Sequence, residues 1–199
     1  MKSEEVSKEL KLSYDELVKY LLDKYGPAKS DYFINEKCRS VSKAISRSSE
    51  GLFCHHIDED KAIMLSDKDF AAKNPFEYQK ASRLVYCNIL EHLILHIKIM
   101  EMPRNKDANA LELPGVGGVR HHICPKINDY YNGYEFKAPY LKNVMEIIKD
   151  NYDDYINVLK HLLYVVEQKS EYYALLISTE KISRGSDGVI VEKIYNDLF

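Results

Sequence analysis

The spacing of apolar positions along this chain switches repeatedly between a helical period and short unbroken runs. Ser13-Tyr14-Asp15-Glu16 reads as an N-cap with acidic first-turn residues, and Leu17, Tyr20, Leu21 and Tyr25 then form one helical face that stops at Gly26-Pro27. Residues 28–50 are polar, serine-rich and poorly periodic, which predicts a loop with room only for short strands. Gly51 to Ile57 is a candidate strand entering a turn at Asp58-Glu59-Asp60. An irregular or short-helical region follows and is broken at Asn74-Pro75. Arg83 to Cys87 is a second short strand, and Asn88 can cap a helix running through Leu90, Leu93, Ile94 and Ile97 to about Met100. Pro103 to Gly118 reads as a linker containing the run Pro114-Gly115-Val116-Gly117-Gly118. A second segment, Val119 to Tyr134, lies beyond it. From Pro139 the pattern is helical, with one stripe at Leu141, Val144, Met145 and Ile148 and another at Tyr155, Val158, Leu159 and Leu162. A last amphipathic stretch from about Ser170 is broken at Arg184-Gly185-Ser186-Asp187-Gly188 before Val189 to Phe199. The expected fold class is α+β, mainly helical, with a small two-strand-and-helix unit flanked by helical segments.

A chain of 199 residues is long enough for one well-buried core. No apolar stretch approaches the roughly 18 residues of a membrane span, and the charged start Met1-Lys2-Ser3-Glu4-Glu5 lacks the apolar core of a secretory signal, so the expectation is a cytoplasmic protein without a membrane partner. Cys38, Cys54, Cys87 and Cys124 form no Cys-x-x-Cys pair, which excludes a two-knuckle zinc ribbon and favours buried thiols acting as small apolar residues. Neighbours on a strand face opposite ways, so Cys54 is not expected to share a metal with His55. A net charge of −3 offers no global attraction to nucleic acid. The charge is uneven, however. Lys37, Arg39, Lys43 and Arg47 fall in an eleven-residue stretch without an acid, interleaved with serines, and are the candidate nucleic-acid-binding residues.

The chemistry concentrates in the histidines. Four of the seven sit in two clusters, His55-His56 at the end of the first strand and His92 with His96 on the helix. Residues four apart share a helical face and can grip one cation. Three imidazoles leave positions on a metal for water and a phosphate, and the fourth histidine stays free to move protons near neutral pH. His121-His122 has no partner pair; if functional, it would touch substrate. His161 lies among Leu159, Leu162 and Leu163 and reads as structural. Tyr130, Tyr131 and Tyr134 read as half-buried core tyrosines with a second use as base-stacking or interface groups.

Strand, His-His, loop, short strand and a helix with histidines four apart resembles the HNH nucleases, the ββα-metal or His-Me finger family. Arg83-Leu84-Val85-Tyr86-Cys87-Asn88-Ile89-Leu90-Glu91-His92-Leu93-Ile94-Leu95-His96 resembles the second strand and helix of the bacterial DNase-toxin members. The resemblance covers about residues 50–100. It implies that His55, His92 and His96 bind one divalent metal ion (Mg, Mn, Ni or Zn), and that His56 is the general base that deprotonates water. Arg83 stands where the family usually has its middle asparagine. It cannot accept a hydrogen bond, so it is expected either to hold a phosphate as a catalytic residue or to leave the loop to be pinned by another residue such as Asn88 or Asn74. The chain then divides into an N-terminal helix and basic loop (1–50), the ββα-metal module (51–100), a linker and irregular segment (101–138) and a C-terminal helical region (139–199). The implied function is a metal-dependent endonuclease acting on DNA, in the setting of bacterial defence, phage or mobile elements. Its rivals are a catalytically silent HNH-like protein that binds nucleic acid or inhibits a protein partner, and a structural zinc site closed by His56 or a cysteine.

Overall fold

The structure is a computed structural model that describes residues 3–103, 113–169 and 182–199. It is a mainly helical α+β protein whose sheet, among the described residues, has two antiparallel strands. Helices α1 (Ser3–Glu9) and α2 (Tyr14–Tyr25) come first. Helix α2 starts as the sequence predicts: the Ser13 side chain accepts from the Glu16 amide while the Glu16 carboxylate accepts from the Ser13 amide. It buries Tyr14, Leu17, Val18 and Leu21 and ends at Gly26, whose φ of 76° a side chain would resist.

Residues 28–50 are a loop with short 3₁₀ turns and isolated bridges that pair Phe33 with Val41 and Arg47 with Leu52. Strand β1 (Phe53–His56) follows, then a 3₁₀ turn at Ile57–Asp60 and the short helix α3 (Lys68–Ala71). Strand β2 (Leu84–Cys87) begins one residue later than the sequence reading, because Arg83 closes a 3₁₀ turn at Ala81–Arg83. The strands pair Phe53 with Cys87, Cys54 with Tyr86, His55 with Val85 and His56 with Leu84.

This register decides the fate of the tandem histidines. Successive side chains on a strand point to opposite faces, so His55 shares one face with Phe53 and His56 shares the other with Cys54. The first face looks into the main core, against which Phe53 packs alongside Val85 and Cys87. The second joins Leu84 and Tyr86 in a smaller cluster, with Ile45, Leu52 and the half-buried Tyr25, Tyr32 and Cys54 around it.

Asn88 caps helix α4 (Ile89–Glu101), again with a reciprocal box from Glu91. Every residue of α4 from Ile89 to Met100 is buried except the half-buried His92, which makes this the central helix of the molecule. α2, α7 (Tyr152–Gln168) and a π-helical segment at Gly118–Ile123 pack around it. The π-helical segment runs into α5 (Cys124–Tyr131), and α6 (Pro139–Glu146) precedes α7, with the break at Asn151. A C-terminal helix, Glu192–Leu198, closes the core against α7. One main core therefore runs from Val6 to Leu198, and the strand-and-helix module shares it with the flanking helices. The amphipathic stretch predicted from about Ser170 falls largely outside the described residues. No helix among those described is long and apolar enough to cross a membrane.

Candidate metal centre

His55 at the end of β1 and His92 and His96 on successive turns of α4 meet beneath the sheet. One nitrogen of each ring lies within 4.8 Å of the others, which makes them a group able to hold a metal ion. His92 Nε2 and His96 Nε2 are 3.2 Å apart. Two nitrogens of a tetrahedral ion with bonds of about 2.1 Å stand about 3.4 Å apart, so this spacing matches a shared cation. Phe53 lies against His92 at 5.5 Å between ring centroids and screens the site's apolar side.

A backbone and a side-chain acceptor fix which nitrogen of His55 and of His96 is free. The Tyr14 hydroxyl donates to the Ile57 carbonyl at 2.8 Å and lies 3.0 Å from His55 Nε2. With its single proton committed, the hydroxyl accepts from His55 Nε2–H, which leaves the Nδ1 lone pair facing the centre. His55 Nδ1 is buried without a hydrogen-bond partner, so its lone pair is available to a cation. His96 Nδ1–H donates to the Gly115 carbonyl at 3.1 Å, leaving Nε2 for the centre. Such outer contacts set tautomer and ring orientation in metal sites generally.

Burial and mutual repulsion hold these rings neutral, the form that binds metal. Burial pushes His55 and His92 well below the ordinary histidine range, with repulsion from the neighbouring histidines adding to it. Burial likewise lowers His96 to about 4.

His56 stands apart from the group. Its Nε2–H donates to Gln79 Oε1 at 2.9 Å, and Tyr32 covers its ring at 4.5 Å between centroids. Gln79 in turn donates from its amide nitrogen to the Leu65 carbonyl at 3.1 Å, so the amide's orientation is set. The remaining nitrogen, His56 Nδ1, is buried and unpaired. Burial lowers its pKa to about 4, so it is a neutral proton acceptor at pH 7.

Glu59 sits between the two sets. One carboxylate oxygen is 3.4 Å from His96 Nε2 and 3.8 Å from His55 Nδ1, and the other is 3.9 Å from His56 Nδ1. In the absence of a cation, burial pushes this carboxyl up to about 8.

Arg83 is held by Asp58. Its Nε and Nη2 donate to the two carboxylate oxygens of Asp58 at 2.7 and 2.5 Å. This fork ties the start of β2 to the turn after β1. Asn88 is spent on the α4 cap, and the Asn74 side chain bonds locally to the Phe70 carbonyl. Gln79 and the Arg83–Asp58 pair therefore hold the long loop between the strands.

Of the basic stretch, Lys37, Arg39 and Lys43 are exposed. Arg47 is engaged: it bonds both oxygens of Glu50, donates to the Tyr25 carbonyl at 2.6 Å and lies 4.7 Å over the Tyr86 ring. The loop reaches the site through Tyr32, whose amide donates to the Gln79 carbonyl and whose carbonyl accepts from Ser42.

Cys54 is on the sheet face opposite His55, and all four cysteines are free thiols. His161 bonds Glu101 and links α7 to α4. Tyr131 packs between Tyr152 and Tyr155 and donates to the Ile148 carbonyl, whereas Tyr134 is exposed.

Sequence reasoning did not single out Tyr14, Glu59, Gln79, Gly115 or Gly118. The glycine run, which reads in the sequence as part of a linker, lets the chain press on His96. A Cβ at Gly118 would stand 2.3 Å from the His96 ring, and one at Gly115 would stand 2.5 Å from the His96 carbonyl. That close approach places the π-helical segment, with His122 and the following Lys126, near enough to depress the His92 pKa by charge. No family model, curated protein or solved structure matches the chain.

Proposed function

We propose that this protein is a metal-dependent endonuclease that hydrolyses phosphodiester bonds in DNA. His55, His92 and His96 hold one divalent ion and His56 is the general base. The observation that carries this reading is the division of labour among the four clustered histidines. Three imidazoles converge with one nitrogen of each within 4.8 Å of the others, while the fourth is oriented by Gln79 on the other sheet face with a free Nδ1. A closed structural site would have no use for a buried, oriented and unpaired fourth imidazole.

When bound, a divalent ion would supply positive charge beside the developing phosphorane and leaving oxygen. His56 contributes a neutral imidazole whose Nδ1 can take a proton from water, an effect worth about 10²- to 10⁴-fold in rate. Gln79 keeps the proton on Nε2 and so keeps Nδ1 receptive. The nitrogen-rich donor set favours Zn, Ni or Mn over Mg by ligand softness. Lys37, Arg39 and Lys43 are the exposed cations available to the DNA backbone.

One observation favours the rival reading of a noncatalytic interaction protein: Arg47 and Arg83, two of the cations expected to meet phosphate, are already paired with carboxylates. Cleavage of plasmid and single-stranded DNA by wild type and His56→Ala, across Mg, Mn, Ni and Zn, separates the two. The nuclease reading expects cutting by wild type, loss of cutting by at least about 10²-fold in the variant, and unchanged metal content. Folded, metal-loaded wild type that cuts neither substrate would favour the rival.

A further inference from the structure

We infer that Glu59 is a fourth ligand of the metal centre, making it a three-histidine, one-carboxylate site. The inference rests on the three-histidine reading above and adds to it a residue from the turn after β1. In the described cluster a single oxygen of Glu59 lies 3.4 Å from His96 Nε2 and 3.8 Å from His55 Nδ1. Spacings of this size suit adjacent ligands of one ion, and coordination expanded beyond four keeps a position for water and phosphate. The carboxylate makes no hydrogen bond among the described residues that would account for its position: its oxygens lie 3.4 Å from His96 Nε2, 3.8 Å from His55 Nδ1 and 3.9 Å from His56 Nδ1. Two of those nitrogens, His55 Nδ1 and His56 Nδ1, are themselves buried without partners. His55 Nδ1 and the Glu59 oxygen thus face one another at a point where a shared cation would satisfy both.

The backbone presents Glu59 there by construction. The 3₁₀ turn Ile57–Asp60 starts directly at the end of β1, and Tyr14 and Arg83 clamp it through the Ile57 carbonyl and Asp58. Asp58 and Glu59 thus point to different tasks, the first to Arg83 and the second to the histidines. The second oxygen of Glu59, 3.9 Å from His56 Nδ1, places the water-activating edge of His56 beside the same carboxylate. Glu59 therefore connects the metal set to the base, across the two faces that the strand alternation separates.

A carboxylate donor also changes which ion the site prefers. Imidazole suits Zn, Ni and Cu, whereas carboxylate oxygen suits Mn and Mg. Removing Glu59 is therefore expected to cost more affinity for Mn than for Ni.

The test is metal affinity, measured by chelator competition for Zn, Mn and Ni on full-length wild type, Glu59→Gln and His96→Ala, with circular dichroism confirming the fold. The expected result is that Glu59→Gln weakens Zn at least about tenfold, weakens Mn more than Ni and alters the visible spectrum of the cobalt-substituted protein. Unchanged affinities and spectrum in Glu59→Gln, with His96→Ala impaired, would overturn the proposal and leave the three-histidine centre standing. Wild-type affinity in His96→Ala, or no metal bound by wild type, would instead remove the centre on which it rests. Should Glu59→Gln not fold, a crystal structure of zinc-loaded wild type decides. A Glu59 oxygen about 2.0–2.2 Å from the ion supports ligation, and one beyond about 3 Å ends it.

Discussion

At the residue scale, the site depends on which nitrogen of each imidazole is left bare, and that is set by groups that never touch the ion. Tyr14 is the clearest case. Its hydroxyl accepts from His55 Nε2–H only because its own proton is already given to the Ile57 carbonyl. Tyr14→Phe removes the acceptor without changing the ring's volume. The expected outcome is a zinc affinity lower by about 10- to 100-fold, read by chelator competition, together with a stability loss of about 1–3 kcal/mol for the buried His55 N–H left unpaired. Loss of stability with unchanged metal affinity would make Tyr14 a core residue only. Gln79 does for His56 what Tyr14 does for His55, with a carbonyl acceptor in place of a hydroxyl. Neither residue carries a pattern in the sequence. Tyr14 reads there as the first residue of an amphipathic helix, and Gln79 as one polar residue in an irregular loop.

At the element scale, three pieces converge on one point: the end of β1, the middle of α4 and the π-helical segment. The third contact is made by backbone, because Gly118 lies flat on the His96 ring and Gly115 receives its Nδ1–H. An inserted side chain has nowhere to go. Gly118→Ala would set a methyl 2.3 to 2.7 Å from three atoms of the His96 ring. Either the ring turns away from the centre or the segment lifts. Both outcomes lower metal affinity, and the packing strain costs about 1–3 kcal/mol in thermal or denaturant unfolding. The control is Gly117→Ala, where nothing lies within 4 Å of the added carbon and neither property should change beyond helix propensity. π-helical turns occur often at functional sites, and here the first residue of the turn, Gly118, lies against the histidine.

At the scale of the whole molecule, one core joins the module to its flanking helices, and the charges buried in that core set how stability responds to pH. Glu9 on α1 is buried with both carboxylate oxygens unpaired, beside Glu91 and 3.9 Å from the Lys24 ammonium. Burial, then repulsion from Glu91, pushes it up to about 8 from an ordinary value near 4.5. Its folded-state pKa is raised, so the folded protein holds a proton there that the unfolded chain has released. Stability from this group is full below about 4.5 and falls by about 1.4 kcal/mol per pH unit as pH rises toward 8. Metal-free Glu59 acts with the same sign over nearly the same window. The buried histidines act oppositely, with folded pKa values depressed below 6.5, so they add stability as pH rises to that point and nothing beyond it. Between pH 6.5 and 8 the metal-free protein should therefore lose stability steadily in denaturant titrations. Glu9→Gln should roughly halve that slope, since glutamine has no proton to release. An identical slope in the variant would show that Glu9 finds a partner in solution.

What the sequence determined by itself is what depends on near neighbours along the chain. The Ser13 and Asn88 caps, the helical stripe of α2, the apolar run of β1 and the pairing of His92 with His96 on one helical face all follow from spacing and local hydrogen bonding. Strand alternation alone separates His55 from Cys54 and from His56. Only the tertiary structure decided what each histidine meets. Tyr14 comes from 41 residues upstream of His55, Gln79 from 23 residues beyond His56, and Gly115 from 19 residues beyond His96. Arg83 shows the difference most plainly. Its place in the sequence left open a phosphate contact or a loop pinned by another residue, and in space it forks around Asp58, because a carboxylate buried in the preceding turn requires a cation. Contacts of this kind depend on how elements pack, and packing is set by the whole distribution of apolar surface rather than by any local pattern.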